Sequence, residues 1–186
     1  MAWVQVIDED EATGELASAY ERIREARGRI GNVVKITSLL PAVMEANIEF
    51  YKALMFGDHA LPRADREMVA VEVSRANCTD YCMAHHSAAL AVAMEDDGAA
   101  RAFMRGEARD LTPRQEAMLT YARKLAAAPQ EITKGDIEAL QVAGLADQEI
   151  VAVNHIVGYF SLMNRVAAGL GVELEPDAGA HADYKY

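Results

Sequence analysis

Apolar residues recur along this chain at helical spacing almost throughout, and strand-like alternation is nearly absent. Residues 12–27 (ATGELASAYERIREAR) put Leu16, Ala19, Tyr20 and Ile23 on one face, and Gly28 and Gly31 close the segment. A short apolar stretch, NVVKITSLL, runs to Pro41, which opens a helix ending at Gly57. Pro62 starts another that reaches Ala76, and residues 78–93 form the next, broken by EDDG. Pro113 opens a helix to Ala128, where Pro129 ends it. Thr133 caps a short helix, with Gly144 past its end. The longest apolar stretch, DQEIVAVNHIVGYFSLMNRVAAGLG, has Asp147 as its cap and Gly169 or Gly171 as its stop. Asn154, His155, Asn164 and Arg165 interrupt it, so it reads as a core helix and not a membrane span. The pattern predicts an all-α, compact multi-helix bundle.

Two segments echo one another. LPRADREMVAVEVSRA and LTPRQEAMLTYARKLA share Leu, an early Pro, Arg, and Glu before an apolar run. Duplication explains this, and so does the common way of starting two packed helices. The closing EPDAGAHADYKY lacks periodicity and is read as loose or docked on a neighbouring chain. The expected organisation is one domain over residues 1–175 with a C-terminal tail at 176–186.

Composition narrows the function classes. The chain has 186 residues, 52% of them hydrophobic, enough for a sizeable core. A net charge of −11 argues against nucleic acid, whose phosphates need a concentrated basic surface. Arg22, Arg24, Arg27 and Arg29 cluster, but Glu21 and Glu25 interrupt them, so they read as a solvated helix face. The start lacks a basic n-region and an apolar h-region, and no apolar run reaches membrane-spanning length. Two cysteines are too few for a disulfide-stapled domain of this size. The expectation is a soluble cytoplasmic protein with no membrane or nucleic-acid partner and with reduced thiols.

Chemistry concentrates in RANCTDYCMAHHSAAL, residues 75–90, which holds both cysteines and two of the five histidines. On a helix, positions 78, 82, 85 and 89 form one stripe, with 86 beside it. Buried small cysteines are one reading. A zinc site is another, but residues 78–86 of a continuous helix span roughly 12 Å and cannot wrap one ion. His59, His155 and His181 supply no second ligand pair, so no metal or cofactor is expected. Thiol–disulfide redox is the leading chemistry: a thiol activated near a helix N-terminus, a resolving thiol and a base. Asn77 or Thr79 supplies the cap and Asp80 sits in the first turn, which places Cys82 near the helix start and His86 one turn on. Helical i and i+4 Cβ atoms lie about 5–6 Å apart, whereas a disulfide wants about 3.5–4.5 Å. Cys78 therefore reaches Cys82 only from the turn before the helix, with Thr79 as N-cap. A fourth reading makes His86, Glu67 and Arg165 the polar groups of a lyase or binding pocket.

LPRADREMVAVEVSRANCTDYCMAHHSAAL resembles the core of the alkylhydroperoxidase D-like proteins, in the carboxymuconolactone decarboxylase superfamily. The Y-C-x-A-H-H form is similar to the branch of peroxidase-related enzymes, and the flanking GNVVKITSLLPAVMEANIEFYKALM and FSLMNRVAAGLGVEL extend the likeness over most of residues 15–175. The resemblance implies an all-α oligomer, commonly a trimer or hexamer. It also implies peroxide reduction by a redox dithiol, regenerated by a dithiol partner such as a lipoyl or thioredoxin-like protein. Anchored on Cys82, the family pattern implies Cys82 as peroxidatic thiol, His86 as proton relay and Glu67 as buried relay carboxylate. Cys78 takes the resolving role only by analogy, because the first family cysteine falls at Thr79. Tyr81 stands where some members carry histidine; with His85 it is a candidate for substrate contact or support. His85 rivals His86, and Glu72 rivals Glu67. Glu67 shares a stripe with Ser74 on an apolar helix, where burial is expected to raise its pKa. Asn164 and Arg165 are expected to be structural, at a subunit contact. The expected function is a thiol-dependent hydroperoxide or disulfide oxidoreductase in antioxidant defence. The alternatives are a decarboxylase-like lyase on a small carboxylated substrate, or a non-catalytic redox-sensing oligomer.

Overall fold

Helix positions follow the apolar pattern closely. The computed structural model describes residues 2–108 and 110–176. Among them the chain forms α1 (Gly14–Arg27), α2 (Asn32–Lys35), α3 (Pro41–Met55), α4 (Arg63–Ala76), α5 (Asp80–Met94), α6 (Asp97–Met104), α7 (Pro113–Ala127), α8 (Lys134–Val142) and α9 (Asp147–Leu170). One 3₁₀ turn at Pro129–Glu131 separates α7 from α8. The boundaries have local causes. Pro41 and Pro113 sit in first turns, where a missing N–H costs nothing. Thr112 Oγ1 accepts from the Gln115 amide while Gln115 Oε1 accepts from the Thr112 amide, a capping box. Asp147 is the first helical residue of α9 and not its cap; Glu149 reaches back to the Ala146 amide.

EDDG does more than break a helix. Asp96 Oδ1 accepts from the Gly98 and Ala99 amides, so the same residues that end α5 cap a further helix, α6. Its eight residues escaped the periodicity argument because two turns carry too few apolar positions to register.

The architecture is organised around α4. Ten consecutive residues of this helix, Asp65–Ser74, are buried, because α5, α7 and α9 pack around it. The two echoing segments are α4 and α7, which lie against each other. Their first turns are tied by Asp65, which accepts from Arg114 at 3.0 Å and Gln115 at 2.9 Å.

Two apolar clusters result. The larger joins α3 to α9 through residues such as Met68, Val69, Leu90, Met118, Ile156 and Phe160. The smaller gathers Leu16, Tyr20, Ile23, Val34, Met44 and Ile48 from α1, α2 and α3. Val33 packs against both. Among the described residues no helix is long and apolar enough to cross a membrane. Of the expected tail, residues 177–186, including His181, lie outside the described part.

Candidate functional site

The turn between α4 and α5 sets the site. Cys78 takes a left-handed conformation, φ 53°, and Thr79 follows in an extended one at the N-cap position. Thr79 makes no side-chain cap; its Oγ1 donates to the Asn77 carbonyl. Asp80 opens α5, so Cys82 falls in the first turn and His86 one turn later on the same side.

The two thiols part company here. Cys82 is buried and Cys78 is exposed, and both are free. Cys78 does sit in the turn before α5 with Thr79 at the N-cap position, the placement required for reaching Cys82, yet the two are not close. The left-handed turn leaves Cys78 at the surface while α5 carries Cys82 into the core. Burial pushes the Cys82 thiol up to about 12, so the resting group is a thiol and not a thiolate.

Glu67 and His86 do come together. Glu67 Oε2 on α4 accepts from His86 Nδ1 on α5 at 2.8 Å, across 19 positions of sequence. Arg63, one turn before Glu67 on α4, donates to Oε1 from Nε at 3.0 Å and Nη2 at 2.5 Å. The Arg63 guanidinium also lies 3.8 Å from the Phe56 ring centre. The expected upward shift of Glu67 is overturned. Burial does raise it, but the charges and hydrogen bonds of His86 and Arg63 outweigh burial and hold the carboxyl below its ordinary range. Glu67 is therefore an ionised partner that orients His86 and fixes the proton on Nδ1, as metal-free carboxylate–imidazole pairs do. Phe160 of α9 seats its ring edge-on to His86 at 4.4 Å.

A cavity with about 60 Å³ of interior space opens at the seam of the two apolar clusters. Cys82, His86, His85 and Tyr81 line one wall from α5, facing Met44, Tyr51 and Phe160 from α3 and α9. Polar atoms thus face an aromatic and aliphatic wall.

A second carboxylate stands at this cavity's edge. Glu175 Oε1 accepts from the Tyr81 hydroxyl at 2.8 Å and the Asn32 amide at 2.5 Å, and Oε2 pairs with His85 Nε2 at 2.9 Å. Burial raises Glu175, yet the hydrogen bonds from His85, the Asn32 amide and Tyr81 outweigh it and bring it down to about 2. Tyr81 and His85, expected near the site, both reach it, and their rings lie 4.6 Å apart. In the sequence Glu175 is only the last position of the expected domain, with no role attached. Only its fold-back over Asn32, aided by Asn32 Nδ2 donating to the Glu173 carbonyl, brings it there. Arg63 carried a detectable signal, its i−4 spacing from Glu67; Glu175 carried none.

The rival groups lie elsewhere. Glu72 is buried and held by Arg75 at 2.5 Å and Arg123 at 2.6 Å, a structural ion cluster. Asn164 is buried beside Ser74, and Arg165 is exposed, with Nη1 on the Ser161 carbonyl. The arginine cluster is only partly a solvated face. Arg22 and Arg24 pair with Glu45 and Glu9, whereas Arg27 turns inward, lines the cavity and lies 5.3 Å from the Tyr51 ring centre. Among the described residues no group of three or more His, Cys, Asp or Glu could hold a metal ion.

Residues 41–124, from α3 through most of α7, match the carboxymuconolactone decarboxylase family. No curated protein sequence matches the chain. Among solved structures, an uncharacterized peroxidase-related protein from Silicibacter sp. TM1040 superposes with a TM-score of 0.85 at 27% identity, covering 98% of this chain and 96% of its own. An uncharacterized peroxidase-related protein from Ralstonia eutropha JMP134, described as an alkylhydroperoxidase AhpD core, gives 0.85 at 26% identity, covering 100% and 98%. The fold is shared by the debrominase Bmp8, solved as a variant with 2,3,4-tribromopyrrole, at a TM-score of 0.80 and 17% identity over 96% and 94%. Residues 41–124 therefore resemble the carboxymuconolactone decarboxylase family, and the chain as a whole is similar to two solved peroxidase-related proteins.

Proposed function

We propose that the protein is a thiol-dependent hydroperoxide reductase in which Cys82 is the attacking thiol and Glu67–His86 its proton relay. The observation that carries this reading is one cavity wall: Cys82 and His86 lie one helical turn apart, with a fully buried, ionised Glu67 bonded to His86 Nδ1. The likeness to proteins described as peroxidase-related supports the same chemistry.

The chemistry follows from the protonation states. Cys82 holds its proton at rest, so attack requires a base to take that proton as the sulfur moves onto oxygen. With Nδ1–H donated to Glu67, His86 accepts through Nε2, and Glu67 offsets the charge that forms on the ring. The Cys82 sulfur bonds to the distal peroxide oxygen and the O–O bond breaks. Cysteine is oxidised to sulfenic acid and the hydroperoxide is reduced to an alcohol. Two further electrons from an external dithiol, such as a lipoyl or thioredoxin-like protein, restore the thiol. In the full Cys-x3-Cys scheme Cys78 resolves the sulfenic acid. This requires the turn at residues 77–79 to rearrange from its left-handed form. Homo-oligomerisation is part of the reading; the trimer or hexamer expected from the resemblance is tested by solution mass.

The test is hydroperoxide consumption with dihydrolipoamide as reductant. Wild-type protein turns over, and Cys82→Ser abolishes consumption; a Cys82→Ser protein of full activity sinks the reading. A second reading, lyase chemistry on a small carboxylated substrate, is favoured by one observation. The cavity offers two imidazole–carboxylate pairs beside a thiol that keeps its proton. An activity that survives replacement of both cysteines selects it.

A further inference from the structure

Peroxide cleavage needs two proton operations, because the attacking thiol loses a proton while the departing alkoxide gains one. A single imidazole serves both only by handing the thiol proton on to the leaving oxygen, whereas a second imidazole delivers a proton of its own. We propose that His85 is the acid for the leaving oxygen and Glu175 the positioning residue that fixes it. Two carboxylate–imidazole pairs, Glu67–His86 and Glu175–His85, then flank Cys82; the assignment rests on the peroxidase reading above.

Three observations carry this. His85 and His86 follow Cys82 by three and four residues on α5, the two spacings that place side chains beside it, and all three line the cavity. The pairs are also complementary in the ring nitrogen they use: His86 meets its carboxylate through Nδ1, His85 through Nε2. Finally, Glu175 is a built position. It follows His85 and Tyr81 by 90 and 94 residues, and it collects the Tyr81 hydroxyl, the Asn32 amide and the His85 ring. The Tyr81 oxygen is itself fixed by accepting from the Val33 amide at 3.2 Å. The chain makes room for this arrangement at Gly31, where a Cβ would stand 3.1 Å from the Tyr81 hydroxyl and 3.2 Å from Glu175 Oε1. Glu175 lies outside the family-matched segment, so nothing in residues 41–124 supplies it.

The step balances. The Cys82 proton passes to His86, the S–O bond forms as O–O breaks, and the alkoxide takes a proton from the His85 ring. Glu175 offsets the charge of the ring while it holds that proton. Arg27, Tyr81 and His86 share the cavity with His85, and Glu67 with Arg63 stand behind His86.

The test compares two reagents on the full chain. Cumene hydroperoxide leaves as a basic alkoxide and needs the acid; iodoacetamide leaves as iodide and does not. Rates at Cys82 are read by mass spectrometry for wild type, Glu175→Gln and His85→Gln. Loss of a general acid is expected to slow the hydroperoxide reaction on the order of 100-fold in His85→Gln and about tenfold in Glu175→Gln, with alkylation within about twofold. An equal fall with both reagents overturns the proposal in favour of a purely structural role, and so does no fall with either. If Glu175→Gln melts, the His85→Gln ratio decides alone. A wild-type protein that is alkylated but never oxidised defeats the peroxidase reading itself, and the acid role with it; failure of the acid role alone appears only in the variants.

Discussion

His86 Nδ1 and Glu67 Oε2 meet at 2.8 Å in a core where Glu67 has no exposed surface. The pair joins α4 to α5, and Arg63 closes it from the far side. Removing the charge leaves a half-buried guanidinium and a buried imidazole without their shared partner. Breaking such a buried pair costs about 3–5 kcal/mol. Glu67→Gln is expected to lose stability near the lower end, since the amide oxygen still accepts from Arg63. Urea denaturation measures it, and a variant within experimental error of wild type refutes the assigned role.

Acid should expose both depressed carboxylates. Glu67 and Glu175 lie below their ordinary value of 4.5, Glu175 down to about 2. A depressed carboxylate contributes stability that is fully present above its unfolded value and is lost as pH falls through its folded one. Stability is therefore expected to hold down to 4.5 and to decline between 4.5 and about 2 as Glu175 protonates. Glu175→Gln should flatten that part of the profile. Denaturation midpoints across this range check it; an unchanged slope in the variant contradicts the pairing.

The two thiols should differ sharply in reactivity. Cys78 is exposed, whereas burial pushes Cys82 up to about 12. Brief iodoacetamide treatment at neutral pH is expected to label Cys78 first and Cys82 far more slowly, with Cys82 labelling rising steeply toward alkaline pH. Peptide mass spectrometry separates the two, and equal labelling at neutral pH would show that Cys82 is not shielded.

Cys78 also carries a backbone cost. A non-glycine residue held at φ 53° is strained relative to glycine. Cys78→Gly is expected to raise stability by about 0.5–1 kcal/mol, offset in part by the freer unfolded chain. A loss of stability would mean that the Cys78 side chain makes contacts that outweigh the strain.

At the end of α9 the opposite holds. Gly171 has φ 67°, and a Cβ there would stand 2.6 Å from the Trp3 indole, whose backbone amide donates to the Leu170 carbonyl. Gly171→Ala is expected to cost about 1–2 kcal/mol from conformation alone. Adding Trp3→Ala should recover only the steric part. Thermal denaturation of the two variants separates the contributions, and full recovery in the double variant would assign the whole cost to Trp3.

The all-α class and most helix limits are legible along the chain, because 3.6-residue periodicity and terminal Pro, Thr and Gly are local signals. The one-turn spacing of Cys82 and His86 is local in the same way, whereas Glu67 as their partner is implied by the resemblance to the alkylhydroperoxidase D-like pattern and not by periodicity. The tertiary structure decided what distance along the chain conceals. It turned Cys78 outward through a single left-handed residue, and it reversed the expected direction for Glu67 by setting Arg63 and His86 against the cost of burial. It also carried Glu175 back across 90 residues to His85. Periodicity reports which face of a helix is buried; it does not report which charge will stand beside it, because that depends on contacts made only when distant segments pack.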